Sequence, residues 1–103
     1  MSTFDKREKA FENKFAHDEE LQFKIVARAN MLLGLWAAEK LHKSIEAASN
    51  YASALVAKDV SAPGIQAQIH KDFVAAGVSQ SQHQIARRFE EFRAQAAAEV
   101  TRK

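Results

Sequence analysis

Three observations predict an all-α protein, an antiparallel four-helix bundle preceded by a partly helical N-terminal arm. The chain has one proline and three glycines among 103 residues, so it has few places to turn sharply. Ala, Gln, Glu, Lys and Arg, all good helix formers, dominate the rest. Apolar residues recur at steps of three and four in successive segments, and the gaps between segments carry cap and turn residues.

Residues 3–16 can form an amphipathic helix with Phe4, Phe11 and Phe15 on one side, helped by Asp5 before Lys9 at the i,i+4 spacing. A stripe of three rings is marginal, and a helix this short needs a surface to dock on. Two readings fit: the rings pack back onto their own bundle, or they bind another protein. The stripe then meets polar residues at Asp18, Glu19 and Gln22, and the acidic run Asp18-Glu19-Glu20 suits a helix start. A joint is therefore expected near His17–Asp18, dividing the chain into an arm, residues 1–17, and a bundle, residues 18–103.

Residues 18–42 predict the principal helix, about 36 Å long at 1.5 Å per residue. Leu21, Ile25, Ala29, Leu32 and Trp36 mark its buried face, widened by Val26, Leu33 and Leu41. Gly34 costs about 1 kcal/mol in helix propensity and suggests close approach by another helix. Trp36 reads as a core residue with its indole nitrogen near the surface. Ser44 suits the N-cap of a shorter helix with Ile45, Ala48, Ala52 and Leu55 inward, ending around Lys58. Asp59 to Gly64 is the clearest loop, and Ser61 with Pro63 suits the start of the next helix. There Ile65, Ile69 and Phe73 share a face up to Gly77, which can end the helix in a left-handed conformation. Ser81 and Gln84 form a capping box for the last helix, whose core face is Ile85, Phe89, Phe92, Ala96 and Val100.

Composition excludes several function classes. With 47% apolar residues the chain is expected to be one domain with a modest core. There is no cysteine, hence no disulfide framework, thiolate metal site or cysteine nucleophile. No stretch approaches the roughly 18 apolar residues of a membrane span, and the N-terminus lacks a secretory apolar region, so a cytosolic protein is expected. Residues 1–20 carry four basic and six acidic side chains, and residues 21–103 eleven and seven. A mildly basic body without a clustered patch does not indicate nucleic acid.

Chemistry-bearing motifs are sparse. His17, His42, His70 and His83 lie in separate segments without the i,i+3 or i,i+4 spacing of a helical metal site. The carboxylates of Asp18-Glu19-Glu20 and Glu90-Glu91 are sequence neighbours, which point in different directions on a helix. Neither a phosphate cradle nor a nucleophile elbow is present, and no enzyme, metal or cofactor is expected. The alternative function is a helix-turn-helix-like DNA-binding domain using the last helix. Phe73 to Ser79 would form the turn, and Arg87-Arg88 would face the groove. That pattern wants an apolar residue where His83 stands, so closure of a bundle helix by Gly77, with the arginines solvated, is preferred.

The chain resembles the ATPase inhibitor subunit zeta family of alphaproteobacterial F-type ATP synthases. The resemblance is carried by Thr3-Phe4-Asp5 with Arg7, Lys9-Ala10-Phe11-Glu12 and the run from Lys14 to Leu21. Asn30, the run Leu32 to Glu39, Ala76-Gly77-Val78 and His83-Gln84-Ile85 with Arg87-Arg88 extend it. It departs mainly between His42 and Lys71, where family members tend to be acidic and often carry glycine after the position of Leu41. The resemblance implies a four-helix bundle preceded by a mobile, partly helical N-terminal arm, and a regulatory protein that inhibits ATP hydrolysis while sparing synthesis, its arm inserted at an alpha/beta/gamma interface of the catalytic head. It implies Phe4, Phe11 and Phe15 as apolar anchors, with Asp5, Arg7, Glu8, Glu12 and Lys14 as polar contacts. It further implies a protein that is monomeric when free, cytoplasmic, and peripheral to the membrane-bound synthase. No motif supports the weak nucleotide binding suggested for the family.

Overall fold

A computed structural model describes the backbone of residues 2–58 and 61–101 and the side chains of residues 19–58 and 61–101. The elements are α1 (Ser2–Lys40), α2 (Ile45–Lys58), α3 (Ala62–Ala76) and α4 (Gln82–Thr101). They form an antiparallel four-helix bundle in which α1 packs chiefly against α2 and α4.

α1 differs from expectation at its start. It runs as one helix through the joint expected at His17–Asp18. Acceptors at a helix start are stabilising only where the chain must start there, and this chain has no glycine or proline before Gly34 to force a break. The buried face is also rotated. Ile25, Ala29, Leu33 and Ala37 are its centre, with Asn30 and Ala38 buried beside them, while Leu32 and Trp36 are only half-buried. Two flanking helices widen the covered sector of α1, and the smallest side chains sit where the neighbours come closest.

At the other end α1 closes on a left-handed residue. His42 has φ 61°; its N–H donates to Glu39 O at 3.0 Å, and Lys43 N–H donates to Ala38 O at 3.0 Å. This is a Schellman closure, and His42 occupies the position where glycine is unstrained. α3 ends the same way with the glycine in place. Gly77 has φ 74°, its N–H donates to Val74 O at 3.3 Å, and Val78 N–H donates to Phe73 O at 2.8 Å. The helix starts follow the sequence. Ala47 N–H donates to Ser44 Oγ at 3.2 Å, and Gly64 N–H to Ser61 Oγ at 3.2 Å. In the capping box, Gln84 N–H donates to Ser81 Oγ at 3.1 Å and Ser81 N–H to Gln84 Oε1 at 2.8 Å.

The core joins Ile25, Ala29, Leu33 and Ala37 to Leu55, Ile65, Ile69, Phe73, Ile85, Phe89 and Ala96. Phe73 is fully buried and meets Trp36 edge to face, the ring centres 5.7 Å apart. Burying such a ring contributes about 1.5–3 kcal/mol. Ile45, expected inside, is 92% exposed. It is the first residue of α2, where the turn following the cap projects beyond the end of α1.

Candidate partner-binding segment

The side chains assigned to partner binding, Phe4, Asp5, Arg7, Glu8, Phe11, Glu12, Lys14 and Phe15, lie outside the described residues; their backbone belongs to α1. What the structure describes is the next part of the same helix and the way the bundle grips it. Ile25 is the first fully buried side chain after residue 18. Before it, Leu21 is half-buried and Glu19, Glu20, Gln22, Phe23 and Lys24 are exposed.

Two polar clips join this part of α1 to α4. Arg93 Nη2 donates to Gln22 Oε1 at 3.1 Å, and Arg28 Nε donates to Glu99 Oε2 at 3.0 Å. Between them lies a shallow groove of about 310 Å³ floored by Ile25, Ala94 and Ala97. Phe23 belongs to neither the clips nor the groove and is 68% exposed. Sequence reasoning passed over it because it falls off both apolar stripes, and an aromatic residue between two stripes was the signal that could have found it.

Several other charged residues pair within the bundle. Arg88, one of the two arginines of the DNA-binding alternative, stacks 5.4 Å from the Trp36 ring centre and pairs with Glu91 at 3.0 Å. Arg87 is exposed beside Pro63, Ala86 and Phe89 at the rim of a wider α3–α4 groove. Glu90 and Glu91 each face an arginine three positions away, and no acid/base pair forms. Among the described residues no three His, Cys, Asp or Glu side chains converge as a metal site would require, and no helix is long and apolar enough to cross a membrane.

A polar cluster that the sequence did not announce ties α2 to α3. Tyr51 Oη donates to Asp72 Oδ2 at 2.5 Å, Gln68 Nε2 donates to Asp72 Oδ1 at 3.0 Å, and the Lys43 ammonium lies 5.2 Å from the Tyr51 ring centre. Burial, reinforced by the hydrogen bond and the negative charge of Asp72, pushes the Tyr51 phenol well above its usual value. The group is a neutral donor fixed to a carboxylate, suited to joining helices rather than to proton transfer. Tyr51 and Asp72 are 21 residues apart, a separation that helical periodicity does not reveal.

The described residues form a bundle with a long first helix. A comparison with curated proteins finds no match. The family model described as ATPase inhibitor subunit zeta matches residues 1–99, which takes in α1 from its first turn and nearly all of α4. By that match the chain belongs to the ATPase inhibitor subunit zeta family.

Proposed function

We propose that this chain inhibits ATP hydrolysis by an F-type ATP synthase by inserting residues 4–15 at an alpha/beta/gamma interface of the catalytic head. The observation that carries the reading is that the inhibitor-family match begins at residue 1 and so includes the segment as well as the bundle. Phe4, Phe11 and Phe15 anchor in an apolar cleft; Asp5, Arg7, Glu8, Glu12 and Lys14 contact its polar rim. A narrow aromatic stripe supports helix formation poorly in water and well when a cleft covers the rings, so binding and helix stabilisation reinforce each other. Inhibition is steric. The wedge blocks the motion that hydrolysis requires and needs no reactive group. Residues 18–103 hold the wedge at the enzyme's surface, on the cytoplasmic side, and the free protein is a monomer without a cofactor.

The test adds intact chain, and chain lacking residues 1–17, to purified F-type ATPase and follows hydrolysis and synthesis separately. Intact protein is expected to suppress hydrolysis and spare synthesis, and the truncated bundle to fold and leave both unchanged. Equal inhibition by the truncated chain would remove the arm from the mechanism.

A further inference from the structure

We infer that the contact with the ATPase does not end with the arm but continues along α1 to Phe23, which serves as a further aromatic anchor. The inference rests on the reading above. Phe23 stands eight residues after Phe15 on one helix, about 12 Å further along its axis. A helix held in a cleft is covered on more than one face, and the rim of such a cleft reaches the turns where the helix leaves it. Phe23 occupies those turns. It is 68% exposed, and every residue from Glu19 to Lys24 apart from Leu21 is exposed with it.

The helix that carries the ring is docked on α4. Gln22 beside it is held by Arg93 at 3.1 Å, and Arg28, about a turn and a half on, is held by Glu99 at 3.0 Å. An anchor on a docked helix loses little freedom on binding, so more of its burial appears as affinity. Glu19 and Glu20, one turn before Phe23 on the helix, are charged and exposed, which places an apolar centre beside a polar rim, the composition of a hot spot. The other large exposed apolar residues among the described residues, Ile45 at 92% and Val74 at 66%, lie on α2 and α3. They supply internal controls.

The experiment titrates hydrolysis by purified F-type ATPase with full-length wild type and with Phe23→Ala, Phe11→Ala and Ile45→Ala, and records thermal unfolding of each. Phe23→Ala should unfold as wild type does, because its ring is solvated, while needing about tenfold more protein for half-inhibition. Phe23→Leu should recover part of that loss, and Ile45→Ala should inhibit as wild type. If Phe23→Ala inhibits as wild type while Phe11→Ala is impaired, the extension to Phe23 is overturned and the arm reading stands. If both inhibit as wild type, the arm reading falls and the extension falls with it.

Discussion

α1 is held on its two sides by opposite means. Against α2 the contact is between backbones: a Cβ added at Gly34 would lie 2.9 Å from both Cα and Cβ of Ala52. Against α4, at the end nearer the arm, the specific contacts are long polar side chains, Arg28 to Glu99 and Gln22 to Arg93, with the Arg28 and Glu99 side chains 47% and 41% exposed. The first contact admits one spacing and register. The second tolerates displacement, since long solvated side chains re-form over a range of helix positions. The bundle is therefore stiff where α1 returns into α2 and adjustable where α1 leaves towards residues 4–15, as the proposed insertion into a cleft would require.

The comparison breaks most directly at Gly34. Gly34→Ala improves helix propensity by about 1 kcal/mol, yet overpacking against Ala52 should destabilise the protein by about 1–3 kcal/mol net in chemical denaturation. A neutral or stabilising result would show that α2 can move away and that the first contact is no stiffer than the second. His42→Gly tests the same end of α1 in the other direction. With φ 61° and an exposed side chain, it should gain about 1 kcal/mol by relieving left-handed strain.

Tyr51→Phe removes the hydroxyl that joins α2 to α3 and should cost about 1 kcal/mol at neutral pH. The pH dependence has a definite sign. The folded phenol is raised above the unfolded value of 10.0, so its contribution is fully present below pH 10 and is lost as pH rises towards the folded value. Unfolding measured from pH 8 to 11 should show a smaller alkaline loss in Tyr51→Phe than in wild type. The smallest effect belongs to the adjustable side: Arg28→Ala should change stability by no more than about 0.5 kcal/mol, because its ion pair is exposed and screened. A cost matching that of Gly34→Ala would erase the distinction between the two sides of α1.

Much of the fold was legible because it is written locally. Ser44, Ser61 and the Ser81/Gln84 pair cap helices through bonds spanning three residues, and Gly77 ends one through backbone geometry at a single position. Gly34 was legible as a point of close approach because a glycine inside an apolar helix has little other use. The centre of the α1 face was misjudged by about one position: Leu33, expected at its margin, and Ala37 lie at the centre, and Leu32 and Trp36, expected there, are half-buried. Periodicity locates a stripe but not the sector that two neighbours together cover. Ile45 was misjudged because a stripe does not record where the covering helix stops.

By itself the sequence determined the helices, their caps, the absence of cysteine chemistry and the family, since each depends on residues close in the chain or on runs that survive as runs. Only the tertiary structure decided the left-handed conformation of His42, the Tyr51–Asp72 junction, the stacking of Arg88 on Trp36 and the exposure of Phe23. Those are set by how helices distant in sequence cross, and a one-dimensional pattern does not carry the angle or depth of a crossing.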